Sequence, residues 1–233
     1  MKIAILSDIH GNFEALTAAY AFLDAEHVDA LYCLGDTIGY GANPNECCAL
    51  LRERGAICVL GNHDAALWDD AIYMQFTPLA QRAMDWTRGH VNEEEKRFLQ
   101  SLPLLVTSGE STFVHASLDR PELFRYVFTE SDARLNLALS TTPLCWIGHS
   151  HYPVIFSEDG EAERVGKEGK YIVNVGSVGQ PRDGDPRLSF GLFDTDTYRY
   201  RQIRLSYDVE TACRKILNAG LPYRLGERLL SGV

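Results

Sequence analysis

Apolar positions near the start of the chain follow two rhythms. Lys2 to Leu6 is a short, nearly continuous apolar run that Asp8 and His10 close. A run of that length bounded by polar residues predicts a buried strand. From Asn12 to Glu26 the apolar residues Phe13, Leu16, Ala19, Tyr20 and Leu23 recur at helical spacing, with Asn12 as the N-cap. Ala30 to Leu34 predicts a second strand, Asn45 to Arg54 a helix after Pro44, and Ala56 to Leu60 a third strand. Strand and helix in alternation call for a parallel sheet with right-handed crossovers.

The pattern then changes. Ala65 to Leu102 is helical, with Thr77-Pro78 as an N-cap and first-turn pair and Glu93-Glu94-Glu95 opening another helix. Its aromatic residues Trp68, Tyr73, Phe76 and Trp86 read mostly as helix packing. Because it follows Asn62-His63-Asp64 directly, this segment is also placed to wall one side of a site there. Beyond Pro103 strands dominate: Leu104–Thr107, Thr112–Val114, Leu144–Ile147, Val154–Phe156, Tyr171–Val175, Ser189–Phe193 and Tyr198–Leu205. A helix near Ser131 to Leu139 interrupts them, and a helix from Val209 to Asn218, stopped by Gly220, leads into a short helical tail. The expected architecture is α/β: a two-sheet β-sandwich flanked by helices on both outer faces. It forms one domain over residues 1–233, with a helical insertion at about 65–102.

Composition narrows the setting. Of 233 residues, 45% are hydrophobic and 23% charged, as in ordinary globular proteins. No apolar run approaches the ~20 residues of a membrane helix, and the first strand is too short for a signal peptide, so a cytoplasmic protein without a membrane partner is expected. The six cysteines lack C-x-x-C spacing, and Cys33, Cys58 and Cys145 sit inside strand patterns, so free thiols are expected. A net charge of −10 with no basic run argues against long nucleic acid as a partner. Nothing sets the oligomeric state.

The chemistry lies where the strands end. Asp8 and His10 close the first strand, Asp36 the second, Asn62 and His63 the third, and His115, His149 and His151 follow later strands. Strand carboxyl ends in open α/β sheets are where ligands bind, so these residues should share one crevice. Carboxylate, imidazole and amide oxygen together suit two divalent metals and phosphate chemistry. One histidine there would usually be structural, but five beside Asp8, Asp36 and Asn62 point to metal. His27 and His90, on predicted helices without such partners, do not.

Asp8-x-His10, Gly35-Asp36 and Gly61-Asn62-His63-Asp64, followed by Val114-His115 and Gly148-His149-Ser150-His151, resemble the ordered motifs of the calcineurin-like metallophosphoesterases, in particular their bacterial phosphodiesterase-like branch. The resemblance implies a helix-flanked sandwich and two metal sites. It places Asp8, His10 and His151 on the first metal, Asp36 as the bridge, and Asn62, His115 and His149 on the second. His63 would face the substrate as catalytic residue, and Asp64 is the candidate to orient it. The implied reaction is hydrolysis of small phosphodiesters or phosphomonoesters by a metal-bridging hydroxide. Mn, Fe, Zn, Co and Ni are all candidate metals, with Mn first in vitro.

Two departures matter. Protein phosphatases of the superfamily resemble Gly-Asp-x-x-Asp-Arg-Gly at the second motif, whereas this chain reads Gly35-Asp36-Thr37-Ile38-Gly39-Tyr40-Gly41. The later Asp and the phosphate-gripping Arg are missing. Tyr40 stands in the Arg position, and Arg182, in the glycine-rich loop after Asn174, is the candidate replacement; Tyr40 and Arg182 are the substrate-binding candidates. Ala116 stands where many relatives have Gly, which matters only if that backbone needs positive φ. The alternatives are a protein or nucleotide phosphatase, including one acting on dinucleoside polyphosphates, and a non-catalytic interaction scaffold on the same fold.

Overall fold

A computed structural model describes residues 1–233. The chain runs through β1 (Lys2–Leu6), α1 (Phe13–Glu26), β2 (Ala30–Cys33), α2 (Pro44–Glu53) and β3 (Ile57–Cys58). Four helices follow: α3 (Asn62–Ala65), α4 (Asp70–Tyr73), α5 (Pro78–His90) and α6 (Glu93–Gln100). Then come β4 (Leu105–Ser108), β5 (Ser111–Val114), α7 (Glu130–Leu139), β6 (Leu144–Ile147), β7 (Val154–Ser157), β8 (Gly160–Glu161) and β9 (Tyr171–Asn174). The chain closes with β10 (Leu188–Asp194), β11 (Arg199–Leu205), α8 (Val209–Asn218) and α9 (Tyr223–Ser231).

The strands form two mixed sheets, ordered β11-β10-β1-β2-β3 and β4-β5-β6-β9-β7-β8. Within them β1, β2 and β3 are parallel, as are β5, β6 and β9. Period-two alternation turns this pairing into layers. On β1, Ala4 and Leu6 pack with Leu16, Ala19 and Leu23 of α1, while Ile3 and Ile5 face the opposite way. There they meet Phe113, Trp146 and Val173 of the second sheet, with Val175 just past β9, and this is the core between the sheets. The far side of the second sheet packs Val114, Cys145, Ile147 and Ile172 against Ala133 and Leu137 of α7. The sandwich with helices outside both sheets is thus present.

Local caps match the expectation in detail. Asn12 accepts from Ala15 N, Thr77 caps α5 with Pro78 behind it, and Asn92 caps α6 ahead of its three glutamates. β3 is shorter than its apolar run suggests: past Cys58 only the Val59 amide still reaches β2, donating to Cys33 O at 2.9 Å, and the Leu60 amide turns to Pro103 O at 2.8 Å. Consequently Asn62 and His63 lie on the first turn of a short helix, not on a strand end. All six cysteines are free, and no helix is long and apolar enough to cross a membrane.

Candidate metal centre

Every donor side chain comes from a segment that leaves a parallel strand. Asp8 and His10 follow β1, Asp36 follows β2, and Asn62 and His63 lie just past β3. From the second sheet, His115 follows β5, and His149 and His151 follow β6. The five parallel strand ends therefore open on one cleft, with all eight side chains buried there.

Packing so many side chains into tight turns bends the backbone. Asp8, His10, Asp36, Tyr40, His149 and His151 all have φ between 51° and 65°. A left-handed non-glycine residue costs roughly 1–2 kcal/mol, and such strain collects at functional sites. Ala116 has no positive φ, so the methyl group in place of Gly carries no backbone penalty. Glycine makes room at two critical points. A Cβ on Gly148 would lie 1.8 Å from Ser7 Oγ and 2.5 Å from Asp8 Oδ2, and one on Gly39, where φ is +89°, would lie 2.5 Å from His63 Nδ1.

The donor atoms form two adjoining groups. In the first, His151 Nε2 lies 3.3 Å from Asp8 Oδ1 and 3.1 Å from His10 Nε2. In the second, His115 Nε2 lies 3.1 Å from both Asn62 Oδ1 and His149 Nδ1. Asp36 Oδ2 joins the groups, 3.7 Å from His10 Nε2 and 3.4 Å from His115 Nε2. His63 is near enough to group with His10 and Asp36 as well. Its backbone N–H donates to Asp36 Oδ1 at 2.8 Å, which fixes the carboxylate's other oxygen toward the cleft.

The outer ring nitrogens decide what the inner ones do. His10 Nδ1 meets Ile38 O at 3.0 Å, His115 Nδ1 meets Leu34 O at 2.7 Å, and His151 Nδ1 meets Gln180 O. A carbonyl can only accept, so each Nδ1 carries hydrogen and a neutral ring turns an Nε2 lone pair inward. The His10–His151 contact then sets two lone pairs 3.1 Å apart, beside an Asp8 Oδ1 that is buried with no hydrogen-bond donor. Such groups are costly to bury unsatisfied. A cation satisfies all three at once, so the residues present fit divalent metal.

The electrostatics agree for both carboxylates and for every cleft histidine except His115. Burial disfavours the Asp8 and Asp36 carboxylates, yet His151 beside the one and His115 beside the other outweigh it and hold both below the ordinary range. Burial pushes His149 down to about 3 and His63 down to about 4, with Asp36 partly opposing in both. His115 goes the other way. Burial disfavours its charge, but Asp36 prevails and holds it up at about 9.

One expected contact is absent. Asp64 does not orient His63: its carboxylate turns into the chain and accepts from the amides of Thr37, Ile38 and Gly61 at 3.0, 3.2 and 3.1 Å. A helical neighbour points about 100° away, and these three amides claim Asp64 first. His63 Nδ1 is left buried without a partner. Instead the His63 ring is held by Phe76, stacked at 4.4 Å, and by Tyr40 at 4.6 Å. Tyr40 is buried, and its hydroxyl accepts from Arg182 Nη2 at 3.4 Å, so it reaches the cleft beside Arg182. His27 caps α1, and His90 stacks on Trp86 at the end of α5.

The sequence reading missed several supports. Ser7 donates to Asp8 Oδ2 at 2.6 Å, Asn174 Nδ2 donates to Gly148 O at 2.6 Å, and Gln180 holds both His151 and Arg182. It also missed a cavity of about 110 Å³ beside Asn62 and His149, walled by Phe76 from the helical insertion and by Phe124 and Tyr126 from the segment before α7. Tyr126 stacks on His149 at 4.0 Å.

A family model of the calcineurin-like phosphoesterase superfamily domain matches residues 1–198. The chain belongs to the calcineurin-like phosphoesterase superfamily. Along almost its whole length this phosphoesterase is 36% identical to the uncharacterized protein MJ0912 of Methanocaldococcus jannaschii, covering 99% of this chain and 98% of that one. The crystal structure of a metallophosphoesterase from Sphaerobacter thermophilus superposes with a TM-score of 0.88 at 37% identity, covering 100% of this chain and 99% of the other. A hypothetical protein from Pyrococcus horikoshii shares the fold at a TM-score of 0.83 and 20% identity, over 100% of this chain and 98% of its own. Family and site together describe a phosphoester hydrolase with residues able to hold metal.

Proposed function

We propose that this phosphoesterase hydrolyses small phosphate esters with two divalent cations held side by side in the cleft. The observation that carries this reading is Asp36 Oδ2, set between two groups of buried donors. Asp8, His10 and His151 would hold one cation, Asn62, His115 and His149 the other, and Asp36 both. The set of N and O donors suits Mn, Fe, Zn, Co or Ni, and Mn is the choice for assay. Cations bound there supply Lewis acidity toward phosphoryl oxygen and acidify water.

The chain's own residues do the rest. His63 is neutral at pH 7, because burial lowers its protonation to about 4. It therefore acts as an N–H donor, to a non-bridging oxygen or to the oxygen of the departing group. Arg182 donates to neutral oxygens only, those of Gln180 and Tyr40, and keeps an unpartnered Nε. A phosphate completes its fork. The aromatic cavity beside Asn62 and His149 takes the organic group of the ester, with a preference for planar groups that stack.

A protein phosphatase is the weaker reading. A serine/threonine-protein phosphatase of Salmonella typhimurium is 34% identical, but over only 50% of this chain and 58% of its own. Tyr40 fills the place of the missing Arg with a buried ring. A pure scaffold would not need Asp8 Oδ1 buried and unsatisfied. Metal analysis with turnover of p-nitrophenyl phosphate and bis-p-nitrophenyl phosphate tests the proposal. Two cations per chain and hydrolysis of at least one ester are expected. Fewer than two cations, or their location away from Asp36, overturns it.

A further inference from the structure

The aromatic wall of the cleft continues outward past the cavity. Tyr126 stacks on His149 at 4.0 Å with 20° between the rings, and Phe128 stacks on Tyr126 at 4.9 Å, again at 20°. Tyr152, one residue past His151, meets Phe128 edge-on at 6.2 Å. Three rings from two segments thus run in contact from a metal-ligand candidate to the surface. The inner end of the row is buried and the outer end is not. His149 is buried, whereas Tyr126, Phe128 and Tyr152 are 47%, 51% and 43% exposed. Adjoining apolar rings left open to water mark a place where something binds.

The backbone under both outer rings is fixed. Phe128 N–H donates to Asp132 Oδ2 at 3.2 Å, beside the capping box that starts α7. Tyr152 N–H donates to Ser150 Oγ at 3.3 Å, and that hydroxyl accepts from Asn174 Nδ2 at 2.8 Å. A platform already set loses little entropy when a ligand lies on it. It is also distinct from the cavity, whose walls include Phe76, Phe124 and Tyr126 but neither Phe128 nor Tyr152. Tyr126 borders both surfaces, and His149 lies against it. A phosphate held at the metal centre therefore has one apolar surface for each of two organic groups. A monoester has a single organic group and would leave one surface wet. Charge points the same way: a diester is a monoanion and a monoester close to a dianion at neutral pH. A chain of net charge −10 repels the dianion more.

We propose that Phe128 and Tyr152 form a second subsite for an organic group, and that the substrate is a phosphodiester with a planar group on each side of phosphorus. The proposal rests on the phosphoesterase reading and narrows it from small esters in general to diesters with two flat substituents. One substituent fills the cavity, and the other lies in the notch that the edge-on pair of rings makes, where stacked and edge-to-face contacts are both available.

The probes are phenyl p-nitrophenyl phosphate and methyl p-nitrophenyl phosphate, which share charge and leaving group and differ only in the second substituent. A parallel readout is calorimetric binding of diphenyl phosphate and methyl phenyl phosphate to the Mn-loaded protein. The phenyl member of each pair should have a KM or Kd about 3- to 10-fold lower in the wild type, the range of an aromatic contact. Phe128→Ala and Tyr152→Ala should each bring that ratio toward one. Phe128→Leu should leave it in between, since Leu keeps apolar bulk without the ring. A wild-type ratio near one, or a ratio unchanged in both alanine variants, overturns the proposal. So does cleavage of p-nitrophenyl phosphate without cleavage of either diester. A ratio near one with self-association that Phe128→Ala abolishes would assign the rings to a second copy of the chain instead. Calorimetry needs no turnover, so a phenyl preference in binding without hydrolysis of any ester would sink the catalytic reading and leave the subsite standing.

Discussion

His63 is the side chain whose surroundings say most about its role. Phe76, Tyr40 and His10 enclose the ring, and burial keeps it neutral well below pH 6.5. His63→Ala should lower turnover by roughly 10²–10⁴-fold while the two cations stay bound. The loss should be smallest with p-nitrophenolate as leaving group, which needs little protonation, and an alkyl ester provides the comparison. Loss of metal from the variant would make His63 a ligand. Asp64 deserves a different expectation. Holding three backbone amides of the Asp36 and Asn62 turns, it shapes the cleft from behind. Asp64→Asn should cost about 1–3 kcal/mol of stability and weaken metal binding without changing leaving-group dependence, as urea unfolding and a Brønsted series would show. From sequence, Asp64 looked like a partner for His63 because it is adjacent. Adjacency on a helix separates side chains, and two of the three amides it serves, those of Thr37 and Ile38, lie on a different loop.

At the level of elements, strands and the residues that close them were readable because a short apolar run ending in Asp, Asn or His leaves little freedom. The lengths of β6 and α8 emerge as the pattern has them, Leu144–Ile147 and Val209–Asn218. β3 does not, because past Cys58 only the Val59 amide still bonds to β2, at Cys33 O, while the Leu60 amide turns away to Pro103 O. What stayed hidden comes from segments without a period. Phe124 and Tyr126 lie between β5 and α7, where no alternation marks an inward face. The aromatic wall makes a prediction of its own. Tyr126→Ala should raise KM for aryl phosphate esters several-fold and leave KM for small alkyl esters nearly unchanged, in keeping with the ~0.5–1.5 kcal/mol of an aromatic pair. Equal changes for both ester classes would place the organic group elsewhere.

Across the whole molecule, the buried histidines set a pH dependence for the metal-free protein. His63 and His149 have folded pKa values of about 4 and about 3, below their ordinary 6.5. The unfolded chain therefore takes up their protons first as pH falls. Their contribution is complete above 6.5 and is lost on the way down to about 4. His115 has the opposite sign: held up at about 9, its contribution is complete below 6.5 and lost as pH rises through 9. Each is worth on the order of 3–5 kcal/mol. Chelator-treated protein should thus be most stable near neutrality, with urea midpoints that fall toward pH 4.5. A midpoint that is flat from pH 7 to 4.5 would contradict the neutral burial of these two rings.

The division of donors between the sheets has a mechanical consequence. Asp8, His10, Asp36 and Asn62 follow strands of the first sheet, and His115, His149 and His151 follow strands of the second. Each proposed cation would then be ligated from both layers at once, a rivet through the open edge of the sandwich where no strand crosses. With rivets in place the two layers should open only together. With chelator present, amide hydrogens of the turns after β1, β2 and β6 should exchange with solvent well before those of the strand centres, and the layers should part from that edge first.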